Sequence, residues 1–200
     1  MSYRKNNTPF FQIETTGANF HSCGLGGEIA SGGKATLEGS EKECVVTFTS
    51  TANGIEVKPS GFECQYYCGA RASFDGIYLK PAAGCDSRSM KKTRSLFKKL
   101  YDKKKYQQAF TKLNTLYTTC RKTLGWLETG WIQNDLAVTQ YKMGDTKGCN
   151  ATLASFTEDV KKPDEVILQD HAPSDAEAWL PIVKAARHNL ELCNKITNKG

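Results

Sequence analysis

Residues 44–64 read CVVTFTSTANGIEVKPSGFEC and decide the fold of the first part of the chain. Two runs rich in β-branched residues flank Asn53-Gly54, and Asn-Gly between such runs is the strongest short-range signal for a β-hairpin. Folding the stretch about this dipeptide brings Cys44 near Cys64. The stretch therefore predicts a hairpin whose base a disulfide can close.

Short strand-like segments surround this hairpin through the first 81 residues. They include the region of Phe11 and Ile13, the glycine-rich stretch CGLGGEIASGGKATLEG and the segment GIYLK. The segments are closely spaced and no helical period separates them, which is typical of small all-β units. We predict that residues 1–81 form an antiparallel β-barrel or sandwich.

The hydrophobic period changes after Pro81, and residues 86–200 predict an all-helical unit of about five helices. Apolar positions recur at helical spacing from Tyr106 to Cys120. The third helix is expected to end before Gly144. We therefore predict an α+β fold, with a disulfide-bridged β-unit followed by a helical bundle.

The later helices are less regular in sequence. A fourth helix is expected to carry Cys149, Leu153, Phe156 and Val160 on one face. A capping box, SDAE at 174–177, is expected to start the fifth helix.

Two helix pairs resemble degenerate tetratricopeptide repeats. They are LFKKLYDKKKYQQAFTKL and LAVTQYKMGDTKGCNATL, and their registers lie 40 residues apart. The family's usual spacing is about 34 residues. Stacked helical hairpins and a plain helical bundle therefore both remain open.

The eight cysteines indicate disulfides in an oxidising compartment. A zinc protein would concentrate cysteine and histidine in tight pairs, whereas the closest pair here is C-x3-C. A mixture of bridges and free thiols remains an alternative. Cys68 can reach an earlier strand at Cys23, and an antiparallel last pair of helices would bring Cys149 near Cys193. We predict the pairs Cys44–Cys64, Cys23–Cys68, Cys149–Cys193 and Cys85–Cys120.

The net charge of +6 is unevenly distributed, because nine Lys and Arg residues lie between Arg88 and Lys105. These cations wrap around a helix instead of lining one face with aromatic residues between them, so a solvated helix is favoured over a nucleic-acid site. No apolar run reaches the length of a membrane helix, and no membrane span is expected.

The first 16 residues, MSYRKNNTPFFQIETT, lack the apolar core of a signal peptide. The chain is therefore either cytoplasmic or a mature form that has lost its signal peptide, and the eight cysteines favour the mature, periplasmic form.

No pattern in the sequence predicts an enzyme. Cys64 and Cys68 are not a C-x-x-C redox pair, and a catalytic thiol needs a base that only His21 could supply in the first half. Ser73 lacks the G-x-S-x-G context. We predict no catalytic residue, no cofactor and no metal site.

The segment YYCGARASFDGIYLKP, which follows CVVTFT…GIEVK…C, resembles secreted bacterial proteins grouped with the LprI-type lysozyme inhibitors. The resemblance covers roughly residues 20–81 and is specific in CGARASFDG. It implies a bacterial envelope location and a protein-binding role.

The leading hypothesis is a periplasmic protein that binds another protein. In its sharper form it is an inhibitor or immunity protein that blocks a peptidoglycan hydrolase or a secreted effector toxin. The alternative is an envelope scaffold or adaptor that holds a partner with its helical half.

Two kinds of surface supply candidate partner-binding residues. Rigid β-loops offer Arg71, Ser73, Asp75, Ser31 and Lys34. A groove in the helical half offers Tyr101, Lys104, Trp126 and Trp131, although the two tryptophans can also be interpreted as core residues.

Overall fold

The structure is a computed structural model that describes residues 2–3, 8–38 and 43–195. The chain divides into two compact units, residues 1–80 and 81–200, which have separate cores. The first unit is built of strands and the second of helices, so the predicted α+β class is confirmed. The division lies next to Pro81, where the hydrophobic period changes.

Two antiparallel sheets form the first unit. The first sheet has the order β1-β2-β3 and consists of β1 (Ser2–Tyr3), β2 (Pro9–Thr16) and β3 (Ser22–Glu28). The second has the order β4-β5-β6-β7 and consists of β4 (Lys34–Leu37), β5 (Cys44–Thr51), β6 (Gly54–Pro59) and β7 (Gly76–Leu79).

The predicted barrel is wrong, because the described strands form two separate sheets and no closed barrel. The chain reverses between β3 and β4 through Gly32 and Gly33, which both have positive φ. Beyond this turn β4 pairs with β5 instead of continuing the ladder of the first sheet. A single core lies between the two sheets, as in a sandwich.

Strict alternation of side chains builds this core. In β2, Phe11 and Ile13 are buried whereas Gln12 is exposed, as the two-residue period of a strand requires. The Phe11 ring lies 4.7 Å from the Phe48 ring of the opposite sheet, measured between centroids.

The predicted hairpin of β5 and β6 is confirmed, but its turn lies one residue earlier than Asn53-Gly54. Thr51 pairs with Gly54, so Ala52 and Asn53 form the turn. Gly54 serves a different purpose, because a Cβ there would overlap the carbonyl oxygen of Tyr78 on β7.

Six α-helices occur among the described residues of the second unit, instead of the predicted five. They are α1 (Ser87–Asp102), α2 (Tyr106–Cys120), α3 (Trp126–Lys142), α4 (Thr146–Thr152), α5 (Asp164–Gln169) and α6 (Pro173–Lys195). Helix α2 packs against both α1 and α3, and α3 also packs against α4 and α6.

The predicted fourth helix is broken after Thr152. Two short 3-10 turns follow it, at Ala154–Phe156 and Asp159–Lys161. The bend lets the buried ring of Phe156 stack on Trp179 at 5.5 Å between centroids. Tertiary packing of an aromatic side chain therefore overrides the continuous apolar period.

The predicted capping box at 174–177 is also wrong. The amide of Ala176 donates to the carbonyl oxygen of Ala172, and α6 begins at Pro173. Proline suits the first helical position because its missing N–H would have no partner there.

Polar contacts tie the later helices together. Asn189 Nδ2 of α6 donates to Asn134 Oδ1 of α3 over 2.9 Å, and both side chains are buried. Asp164 of α5 forms ion pairs with Arg187 and Lys184 of α6. Hydrogen bonds from Arg187, which has the larger effect, and from Lys184 hold the pKa of Asp164 below its ordinary value.

Candidate protein-binding site

Four disulfides staple the two units, two in each. They join Cys23 to Cys68, Cys44 to Cys64, Cys85 to Cys120 and Cys149 to Cys193. These are the pairs that the sequence predicts, and none of the described cysteines is free. Because such bridges persist in oxidising surroundings, they indicate an extracellular or periplasmic protein.

Two chain segments of the β-unit, residues 17–22 and 62–76, are held by the first two bridges. We call them together the pinned surface. The Cys23–Cys68 bridge joins the residue directly after the first segment to the second segment. The Cys44–Cys64 bridge fixes the 3-10 turn at Phe62–Tyr67 to β5.

Hydrogen bonds and close packing hold the second segment against the first segment and against β2. The amide of Gly69 donates to the carbonyl oxygen of Ser22 over 2.8 Å, and Thr15 Oγ1 donates to the carbonyl oxygen of Ser73 over 2.7 Å. A Cβ at Gly17 would overlap the carbonyl oxygen of Arg71, so only glycine permits this approach. The pinned surface is therefore fixed by covalent bonds, hydrogen bonds and close packing together.

The motif CGARASFDG alternates between the core and the surface. Ala72 and Phe74 are buried, whereas Arg71, Ser73 and Asp75 are exposed. Ser73 Oγ contacts Asp75 Oδ1 directly, and Tyr78 Oη donates to the carbonyl oxygen of Phe74 over 2.7 Å. The structure thus brings the three predicted partner-binding residues of this motif onto one exposed loop.

Phe20 stands out on the first segment. It has a φ of 60°, in the left-handed region that non-glycine residues rarely adopt, and its side chain is 74% exposed. The turn around it is closed by a 2.6 Å hydrogen bond from the Gly17 amide to the His21 carbonyl oxygen. Burial does not compensate for the strained backbone, because most of the ring lies in water.

Two further aromatic side chains are exposed on the second segment. Phe62 is 93% exposed and Tyr66 is 66% exposed, both on the 3-10 turn at Phe62–Tyr67. Sequence patterns did not identify Phe20, Phe62 or Tyr66 as candidate contacts. The only signal for Phe62 was its position directly after Ser60-Gly61, a turn-forming pair.

The second predicted loop lies at the turn before β4. Ser31 is exposed in that turn, and Lys34 is the exposed first residue of the strand. The amide of Ala30 donates to the Lys34 carbonyl oxygen over 2.7 Å. Within the part of the chain that the structure describes, no hydrogen bond or ion pair links Ser31 or Lys34 to the CGARASFDG loop.

Helices α1 and α3 border a cleft of about 730 Å³ in the helical unit. Tyr101 lines it, as predicted for a groove residue, but Lys104 does not. Lys104 instead ends α1 with a φ of 58°. The Lys104 amide donates to the carbonyl oxygen of Tyr101, and the Lys105 amide donates to the carbonyl oxygen of Leu100. This is the hydrogen-bond pattern of a Schellman motif. The structure therefore gives Lys104 a role in ending the helix.

The two predicted tryptophans lie outside the lining of this cleft. Trp126 is 44% exposed and Trp131 is 38% exposed, so neither is a core residue. The Trp126 ring packs against Trp179 at 4.9 Å and His171 at 5.4 Å between centroids. The predicted groove of four residues is therefore not formed as one site.

Neither a cluster of metal-ligand side chains nor a membrane-spanning helix occurs among residues 2–3, 8–38 and 43–195. No group of three or more His, Cys, Asp or Glu side chains there could hold a metal ion. No helix in these ranges has the length and apolar character needed to cross a membrane.

Comparison with known proteins supplies no family or relative from which a function could be inferred. The chain matches no protein-family model, no curated protein and no solved structure.

Proposed function

We propose that this protein is a periplasmic binding module that uses the pinned surface to block another protein. In the form we favour, the partner is a peptidoglycan hydrolase, and a secreted effector toxin is the second member of the same class. The protein would act as an inhibitor or immunity protein and would not itself be an enzyme.

Rigidity is the first support for this proposal. Association costs free energy when loops must be ordered at the interface, and a preorganised loop avoids that cost. The pinned surface is ordered before any partner arrives, because Cys23–Cys68 and Cys44–Cys64 anchor it and Gly17 packs on Arg71.

Composition is the second support. Interface residues that carry most of the binding energy are enriched in Trp, Tyr and Arg. The pinned surface exposes Tyr66 and Arg71 together with Phe20 and Phe62. Exposed aromatic side chains are disfavoured in water, so their presence on these two disulfide-held segments favours a contact role.

Phe20 is the single observation that carries the proposal. A strained backbone conformation persists where the surrounding structure enforces it, and such residues cluster at binding sites. Here the surrounding contacts hold an aromatic ring in water at a φ of 60°.

Arg71 suits the proposed partner class. Peptidoglycan hydrolases commonly use paired carboxylates in their clefts. An arginine that enters such a cleft would form a desolvated ion pair, which contributes more than an exposed one.

The test uses a lysozyme-type muramidase as the probe. We expect a 1:1 complex in analytical ultracentrifugation and slower clearing of a peptidoglycan suspension. Arg71→Ala and Tyr66→Ala should each weaken the complex at least tenfold, and Lys80→Ala, on an exposed position outside the pinned surface, should not.

Two outcomes would count against the proposal. If the muramidase forms no complex with the parent protein, the hydrolase-inhibitor form is wrong. If both pinned-surface variants bind like the parent, the surface is not the contact region.

A further inference from the structure

The cleft between α1 and α3 has the form of a ligand site that is separate from the pinned surface. Each of the two helices packs on α2, and the space between them is about 730 Å³. Ligand pockets typically measure about 300–1,000 Å³. The cleft can therefore hold a molecule of a few peptide units.

The two walls of the cleft carry opposite net charges. Helix α1 contributes Lys91, Arg94 and Lys98 to the lining, at the three- and four-residue spacing that places side chains on one helix face. Its one carboxylate in the lining, Asp102, is paired with Lys98. Helix α3 contributes Glu128 and Asp135, which are two turns apart. A ligand between the walls would meet cations on one side and carboxylates on the other.

One ion pair joins the walls and fixes their separation. Arg94 Nη2 donates to Asp135 Oδ2 over 3.3 Å, with both side chains half-buried. Burial raises the pKa of Asp135, and the attraction of Arg94 opposes that shift only in part. The Asp135 carboxylate is thus incompletely compensated and would gain from a second cation.

Of the other charges in the lining, one basic side chain is already paired and two charged side chains remain available. Lys98 is paired with Asp102 over 3.2 Å. Across residues 2–3, 8–38 and 43–195, neither Lys91 nor Glu128 has an ion-pair partner. One free cation on α1 and one free carboxylate on α3 therefore face the same space.

Apolar side chains complete the lining. Met90 and the buried ring of Phe97 lie on α1, and Val138 lies on α3. A ligand with charged ends and an apolar middle would match this arrangement.

We propose that the cleft binds a short peptide that has both a free carboxylate and a free ammonium group. The carboxylate lies against Lys91 and Arg94, the ammonium lies against Glu128 and Asp135, and an apolar side chain contacts Phe97. This site goes beyond the proposed function and does not depend on it, because none of its residues belongs to the pinned surface.

The test is a titration of the full-length protein with the tripeptide Ala-Leu-Ala, followed by NMR amide shifts. Matched probes are the same peptide with its amino end acetylated and the same peptide with its carboxyl end amidated. The shifts should be confined to the cleft-lining parts of α1 and α3. Each blocked peptide should bind about tenfold more weakly, because it loses a charge-assisted contact.

Two substitutions assign the ends of the peptide. Lys91→Gln should weaken the free peptide about tenfold but leave the amidated peptide unchanged. Glu128→Gln should weaken the free peptide but leave the acetylated peptide unchanged. The matched controls are Lys99→Gln and Glu177→Gln, which change the same charges at exposed positions outside the cleft.

The proposal is overturned by any of three results. The free and blocked peptides bind alike or not at all, the control substitutions weaken binding as much as the cleft substitutions, or the shifts fall on the pinned surface.

Discussion

Phe20 offers the sharpest test of the structure, because its strain and its proposed contact role can be measured separately. Phe20→Ala and Phe20→Gly both remove the exposed ring, so they lose the same side-chain contacts. They differ in how the backbone tolerates a φ of 60° and in the freedom of the unfolded chain. Their comparison therefore reports the backbone strain once the known entropy difference between glycine and alanine is subtracted.

The expected difference follows from two opposing contributions. The left-handed conformation costs an L-residue about 1–2 kcal/mol and costs glycine almost nothing. Glycine in turn gains about 0.5–1 kcal/mol more chain freedom in the unfolded state than alanine. Phe20→Gly should therefore be more stable than Phe20→Ala by about 0.75 kcal/mol, the difference between the midpoints of the two ranges. In most other contexts alanine is the more stabilising residue.

The choice of signal matters in this assay. All three tryptophans lie between Trp126 and Trp179, so tryptophan fluorescence reports on the helical unit alone. Unfolding of the β-unit should be followed by hydrogen exchange of the β5 and β6 amides, with urea as the denaturant. Binding to the muramidase should fall equally in the two variants, because both lack the ring.

Lys104 provides the matched control, since its φ of 58° is almost the same and it is also exposed. Lys104→Gly should exceed Lys104→Ala in stability by a similar amount, and neither should change binding to the muramidase. If Phe20→Ala proves as stable as Phe20→Gly while the Lys104 pair separates, the strained conformation of Phe20 is refuted.

Three further predictions concern the helical unit. Replacing both Cys149 and Cys193 with serine opens a bridge that spans 44 residues. The loop-entropy treatment predicts a loss of about 4 kcal/mol in the free energy of unfolding. A loss below about 1 kcal/mol, measured by urea unfolding with tryptophan fluorescence, would contradict a native bridge. The pKa of Asp164 is lowered in the folded state, so the stabilising effect of its carboxylate is complete above the unfolded pKa of about 4 and is lost as the pH falls through the folded pKa. Asp164→Asn should therefore flatten the acid limb of a curve of unfolding free energy against pH. An unchanged limb would contradict the ion pairs. Single changes of Asn134 or Asn189 to leucine should each cost about 1–3 kcal/mol, because each removes the buried hydrogen bond between the two side chains. The double variant should cost less than the sum, and strict additivity would show that the two amides do not interact.

Local sequence signals predicted the elements that depend on neighbouring residues. The hairpin of β5 and β6 follows from β-branched runs around a turn, and its closure explains why Cys44 reaches Cys64. Helices α2 and α3 follow from apolar spacing in the same way. In each case the deciding contacts lie within about 20 residues of one another along the chain.

The failures share a tertiary cause. The hairpin turn lies one residue earlier than predicted, because Gly54 pairs closely with β7 and a side chain there would overlap it. Strand β7 lies about 25 residues further along the chain. The fourth helix broke because Phe156 packs on Trp179. The cleft could not be anticipated either, since Arg94 and Asp135 are 41 residues apart.

The candidate site was predicted in part for the same reason. The exposure of Arg71, Ser73 and Asp75 could be predicted because they are polar residues on a loop that a visible cysteine holds, and their role as contacts stays a prediction. Phe20 was missed because its exposure is a property of the folded unit, in which the neighbouring Gly17 packs closely on the distant Arg71. No local pattern marks an aromatic residue that tertiary contacts hold outward.

The preorganised state of the pinned surface bears on the choice between a blocking protein and a scaffold. Fixing the backbone of one residue costs about 1–2 kcal/mol, so ordering even the short loop around Arg71 upon binding would consume much of the free energy of association. In this protein that cost is met during folding, chiefly by the Cys23–Cys68 bridge and the hydrogen bonds of Gly69 and Ser73. A protein that must occupy a cleft against competing substrate benefits directly from this arrangement, because its affinity depends on a slow dissociation from a rigid contact. A scaffold that exchanges partners gains less from it. The rigidity of the pinned surface therefore favours the blocking function over the scaffold.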